Sequence, residues 1–119
     1  MGAIETHRGG CHCGNVRFEV ETDLARVVEC NCSHCSRKGF LLTFVTADRF
    51  SLLQGEESLA NYRFNRRVAD HLFCKQCGVE SFWRSVKPDG TKMAIVNVRC
   101  LDDVPPGSFT VTLVDGKSR

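Results

Sequence analysis

Eight cysteines in 119 residues constrain this chain more than any other feature of it. They are grouped as Cys11-His12-Cys13, as Cys30-Asn31-Cys32-Ser33-His34-Cys35, as Cys74-Lys75-Gln76-Cys77 followed by Gly78, and as a lone Cys100. So many thiols require an oxidised framework, metal sites, or both. The first ten residues, MGAIETHRGG, carry no apolar stretch of the secretory kind, and no run of about 18 apolar residues occurs anywhere. A cytoplasmic location with no membrane partner is therefore expected. In such a reducing compartment the thiols are expected to bind metal rather than to pair as disulfides.

Spacing divides the ligands. A Cys-x-x-Cys turn followed by glycine lets both thiolates face one ion while backbone N–H groups donate to sulfur. Cys74 and Cys77 fit that description and supply two of the four ligands of a tetrahedral zinc. Cys11 and Cys13, also followed by a glycine, are the natural complement, which gives a structural Zn²⁺ that staples the first strand to a later hairpin. Cys30, Cys32 and Cys35 differ in kind. Three thiols within six residues can hold a second Zn²⁺ and leave its fourth position open, which is the mark of a zinc that takes part in chemistry. Spacing leaves open whether Cys100, His12, His34 or His71 completes that second set.

Cys100 follows Val96 and Val98 at strand spacing and reads as a small buried residue. His71, between Val68-Ala69 and Leu72-Phe73, reads as a satisfied strand histidine, whereas His12 and His34 lie inside cysteine clusters and suit an outer, supporting role. Arg37-Lys38 and Arg66-Arg67 read as solvated turns, and Phe82 and Trp83 as core. The formal charge of +2 is too near neutral for a nucleic-acid binder held by phosphate contacts. Seven thiolates on two Zn²⁺ would bring it to about −1.

The remaining pattern is that of one mainly β domain over residues 1–119, with its core at about 9–114. Val16, Phe18 and Val20 alternate with charged residues over Val16 to Glu21. Further short runs lie at Phe40 to Thr46, Ser51 to Leu53, Leu59 to Phe64, Val68 to Phe73, Val79 to Arg84, Met93 to Val98 and Phe109 to Val114. Turn formers separate them, among them Gly55, Pro88-Asp89-Gly90 and Pro105-Pro106-Gly107. About eight strands in packed antiparallel sheets are predicted. Helix is scarce: one turn at Ser33 to Lys38, and a turn at Thr46 to Phe50 capped by Thr46 or Asp48. Gly116 to Arg119 reads as a frayed tail.

The ordered set Gly9-Gly10-Cys11-His12-Cys13-Gly14-Asn15-Val16, Cys30-Asn31-Cys32-Ser33-His34-Cys35 with Lys38-Gly39, and Phe73-Cys74-Lys75-Gln76-Cys77-Gly78 resembles the glutathione-dependent formaldehyde-activating enzyme (GFA) family. The segments CNCSHCSRKGF, HLFCKQCGVESF and RCLDD look closest to its short branch, which includes the zinc-binding domain of centromere protein V. The resemblance implies an Mss4-like, zinc-bearing β fold. It also implies a structural zinc on Cys11, Cys13, Cys74 and Cys77 and a second, chemically active zinc on Cys30, Cys32 and Cys35. The activity implied is that of a carbon–sulfur lyase or synthase joining a thiol such as glutathione to a small aldehyde such as formaldehyde. His34, Ser33 and Ser36 are the donors nearest in sequence for the emerging alkoxide. A competing expectation is a non-catalytic scaffold or interaction module in which Cys100 closes the second zinc site. The oligomeric state is not legible in the sequence.

Overall fold

Alternation builds the first sheet. Val16, Phe18 and Val20 are fully buried while Glu21 faces solvent, so strand β2 (Arg17–Thr22) presents one apolar face. It pairs antiparallel with β1 (Glu5–Gly10) on one side and with β5 (Phe50–Gln54) on the other. The computed structural model describes residues 3–62, 69–105 and 107–115.

The second sheet has seven strands. They are β3 (Val27–Cys30), β4 (Leu42–Thr46), β6 (Leu59–Tyr62), β7 (Ala69–Cys74), β8 (Phe82–Val86), β9 (Lys92–Asn97) and β10 (Val111–Val114). Their order across the sheet is β10-β3-β4-β9-β8-β7-β6. Every pair is antiparallel except β3 with β10, which run parallel from Val27↔Val111 to Cys30↔Val114. The fold is mainly β, as expected, but not wholly antiparallel. The parallel pair joins two segments far apart in sequence, a connection no hairpin can make.

The sheets meet through aromatic contacts. The Phe18 ring lies 5.1 Å from Phe50 and 5.9 Å from Phe82, and Phe50 lies 4.7 Å from Phe82. Each such ring buries a large apolar area in offset or edge-on packing. Phe82 and Trp83 alternate on β8, so they face opposite sides of the sheet. Phe82 enters this core, whereas Trp83 packs in a second cluster with Val28, Cys35, Phe40, Leu42 and Ile95. Trp83 is thus core, as its sequence suggested, but on the face of the sheet on which the three-cysteine segment sits.

Two described strands had no signature in the sequence. β1 reads ETHRGG and has no apolar alternation, and pairing with β2 recruits it as a sheet edge. β3 is only four residues, too short to show a period. β8 begins three residues later than the run from Val79 predicted, because the knuckle turn at 75–77 is followed by irregular backbone through residue 81. Gly78 N–H donates to Cys74 C=O at 2.8 Å, and Cys74 N–H to Val79 C=O at 3.0 Å. The predicted turn at Ser33 to Lys38 is helix α1 (Cys35–Lys38). The turn at Ala47–Arg49 is 3₁₀, and Thr46, at its N-cap, makes no side-chain cap hydrogen bond. Arg66-Arg67, Val68 and the Gly116 to Arg119 tail lie outside the described residues.

Gly9 and Gly10 owe their identity to close packing. A Cβ at Gly10 would overlap the Val16 carbonyl oxygen, and one at Gly9 the Cys100 carbonyl oxygen. Both obstacles are backbone, which cannot swing aside as a side chain can. Gly10→Ala is expected to destabilise the protein by about 3 kcal/mol, read as a lowered urea midpoint at unchanged m-value.

Candidate metal centres

The strand ends bring seven of the eight cysteines into two groups. Cys11 leaves the end of β1, Cys13 lies in the turn before β2, Cys74 is the last residue of β7, and Cys77 occupies the turn beyond it. Their four Sγ atoms lie within 4.8 Å of one another. Cys11 and Cys13 sulfurs are 3.6 Å apart, and Cys13 and Cys74 sulfurs 3.7 Å. A tetrahedral ion with bonds of about 2.3 Å to sulfur sets those sulfurs roughly 3.8 Å apart, so the spacing fits such an ion. The Val16 N–H donates to Cys11 Sγ at 3.3 Å, as thiolates in knuckles require.

Electrostatics point the same way. Desolvation opposes ionisation of Cys77, but the Val79 and Cys13 N–H groups and the neighbouring Cys11 and Cys74 sulfurs outweigh it and bring Cys77 down to about 6. The Asn15 N–H favours a Cys13 thiolate, yet desolvation and the three other sulfurs push Cys13 up to about 12. The group gives up its first proton readily and resists losing its last. A divalent cation removes that resistance by compensating the accumulated charge.

Cys30 ends β3, Cys32 lies in the following turn and Cys35 opens α1; their Sγ atoms also lie within 4.8 Å of one another. The turn is held by Ser36 N–H donating to Cys32 C=O at 2.9 Å and Cys35 N–H donating to Cys32 Sγ at 3.3 Å. Burial, then the Cys32 and Cys30 sulfurs, push the Cys35 thiol up. No fourth histidine, cysteine, aspartate or glutamate among the described residues joins this group. Cys100 does not close it. Cys100 sits in a 3₁₀ turn (Val98–Cys100), half-buried, and the neighbouring charges that bear on it are those of Cys11 and Cys77 in the other group. Burial, then those two sulfurs, push the Cys100 thiol up to about 11.

A cavity of about 460 Å³ opens beside the three-thiol group. Cys30, Cys32 and Cys35 line it together with His71, Trp83, Phe44 and the cations Arg26 and Lys87. His71 and Trp83 stand directly opposite each other on β7 and β8. His71 is indeed a satisfied strand histidine: its Nδ1–H donates to the Tyr62 carbonyl at 3.0 Å, and burial lowers its pKa. It is nevertheless the imidazole in this cavity, a placement its sequence neighbours did not suggest. His34 lines a second cavity, of about 710 Å³, with Ser33, Arg37, Lys38, Tyr62 and Glu80. Burial, then His71 and Lys38, bring His34 down to about 4, so its ring is neutral at physiological pH. His12 is exposed and joins neither group.

Glu80 is the residue at this site that the sequence concealed. Nothing in the run Val79-Glu80-Ser81-Phe82 singles out Glu80, yet it is buried. Burial, against the opposing influence of Lys38 and the Trp83 indole, pushes its carboxyl up to about 7. No helix among the described residues is long and apolar enough to cross a membrane.

Comparison with known proteins agrees with this architecture. A crystal structure of a Rhodobacter sphaeroides protein superposes with a TM-score of 0.76 at 33% identity, covering 88% of this chain and 99% of that one. Residues 6–112, which span both cysteine groups and nearly every strand, match the family model described as glutathione-dependent formaldehyde-activating enzyme, and the chain belongs to that family.

Proposed function

We propose that the protein is a zinc-dependent carbon–sulfur lyase or synthase that joins a thiol to a small aldehyde such as formaldehyde, and cleaves the same bond in reverse. In this reading Cys11, Cys13, Cys74 and Cys77 hold a structural zinc, and Cys30, Cys32 and Cys35 hold a second one. The observation that carries it is a three-thiol set with no fourth protein ligand among the described residues, opening on a cavity of about 460 Å³. Zinc bound there would favour an incoming thiol as its thiolate, the nucleophilic form.

The chain's own residues supply the rest. Arg26 and Lys87 line the same cavity and suit the carboxylates of an anionic thiol such as glutathione. Phe44, Leu42 and Trp83 give it apolar walls that limit water around the aldehyde carbon. Because the Tyr62 carbonyl only accepts, Nδ1 of His71 carries its proton, and Nε2 is the nitrogen able to take the thiol proton and return it to the alkoxide. Thiol and aldehyde then combine with no net gain or loss of protons. His71, which lines the thiol cavity, takes this role rather than His34, which lines the neighbouring one.

The test is ¹³C exchange NMR of formaldehyde with a panel of thiols, on protein of measured zinc content. Exchange into the glutathione hemithioacetal should exceed the protein-free rate by about a hundredfold or more. Protein with two zincs bound that leaves the exchange at its uncatalysed rate overturns the proposal.

A further inference from the structure

Glu80 has no part in the chemistry above, yet its setting is costly. Its side chain is 3% exposed, Oε1 makes no close hydrogen bond, Oε2 lies 3.6 Å from His34 Nε2, and the Trp83 indole and Lys38 also bear on the carboxyl. Burying a carboxylate costs several kcal/mol unless neighbours compensate it, so a leucine of similar volume would be the cheaper occupant. Glu80 borders the 710 Å³ cavity, but so little of it is exposed that a ligand there would scarcely touch it. Its influence is on its protein neighbours.

The contact with His34 bridges two parts of the chain that matter. Glu80 stands three residues beyond Cys77, on the segment leaving the four-thiol group. His34 stands between Cys32 and Cys35 of the three-thiol group. The Glu80 side is anchored: Asn97 Nδ2–H donates to the Glu80 carbonyl at 3.2 Å, and Asn97 N–H to Ser81 C=O at 3.0 Å. The His34 ring is boxed by His71, Tyr62, Phe40 and Trp83, at centroid distances of 4.8, 5.6, 5.7 and 5.8 Å. Its backbone carbonyl accepts from Arg37 N–H at 3.2 Å, so the position of the ring and that of the Cys32 to Cys35 turn are linked.

We propose that Glu80 is a positioning residue for the three-thiol metal site, holding the Cys32 to Cys35 turn through His34 and tying that site to the segment ordered by the four-thiol group. The inference rests on the two-zinc reading above. Outer groups that orient metal ligands typically govern metal affinity by about 10- to 100-fold, and Glu80 acts on these ligands through His34.

The two-zinc protein is titrated with a chromophoric chelator. Co²⁺ back-loading then identifies each site, since sulfur-to-cobalt charge-transfer absorbance scales with the number of thiolates. Glu80→Leu, which fills the same space without polar atoms, should weaken the three-thiol site by about 10- to 100-fold and leave the four-thiol site within about threefold. Glu80→Gln, which keeps a polar contact to His34, should restore affinity to within about threefold of wild type. His34→Ala should show the same loss as Glu80→Leu, and the double variant no more than either, because residues acting through one another are not additive. Equal weakening of both sites, an unchanged three-thiol site, or additive losses would each overturn the inference. A wild-type protein that binds a single metal removes the two-zinc reading and this inference with it.

Discussion

If Cys11, Cys13, Cys74 and Cys77 hold the structural zinc proposed for them, chelation should unfold the protein. Cys13 and Cys74 are 61 positions apart, so an ion shared by them closes a long loop and fixes the three-stranded sheet to the end of β7 in the larger one. Zinc on such a thiolate set contributes on the order of 10 kcal/mol or more at neutral pH, against a total stability of about 5 to 15 kcal/mol for a chain of this size. Without the ion, four clustered thiols remain, one brought down to about 6 and another pushed to about 12, so charge and neutrality are forced into one small volume. The expected result is loss of the cooperative thermal transition in circular dichroism when a strong chelator is added, and its return on adding zinc. Cys77→Ser, which leaves three thiolates, should melt between the loaded and the chelated protein. A metal-free form that keeps its native amide spectrum and melts within about 5 °C of the loaded protein would contradict this.

The second large effect concerns chemistry rather than folding. Cys35→Ala should abolish thiol–aldehyde exchange while the fold and the four-thiol metal persist. Cys35 is buried at the start of α1, in the cluster with Phe40, Leu42 and Trp83, and exchanging its sulfur for hydrogen leaves only a small cavity. The structural cost should be about 1 to 2 kcal/mol, far below that of losing the other group. Two sulfurs are too few to hold the ion, so metal content should fall from two per chain to one. Metal analysis beside ¹³C exchange NMR checks both halves. Wild-type exchange with one zinc bound would remove Cys35 and its partners from the mechanism.

Legibility in the sequence followed distance along the chain. The Val16, Phe18 and Val20 stripe was readable because a strand's period of two is a local property, and all three residues are buried as that period requires. The Cys74 to Cys77 knuckle and the Cys30 to Cys35 segment were readable because a few bonds limit where neighbouring sulfurs can point. β1 was not readable, since ETHRGG has no pattern and becomes a strand only by lying against β2. Cys100, which read as a small buried residue and in the competing expectation as the ligand closing the second site, is half-buried and joins neither thiol group, because its neighbourhood arises where residues 99–102 cross β1. There Gly9 bridges Leu101 and Asp102 N–H donates to Arg8 C=O at 2.8 Å.

The sequence alone determined which residues are candidate ligands, that seven cysteines divide into a set of four and a set of three whose completion it left open, and that the chain is mainly β. Covalent geometry over two to five residues and the period of the strand suffice for that. Only the tertiary structure decided that His71 rather than His34 shares the three-thiol cavity, that Trp83 forms its wall, and that Glu80 is buried against His34. Those placements follow from the register of β7 on β8 and from the turn after Cys77, and both depend on packing between segments that the linear order keeps apart.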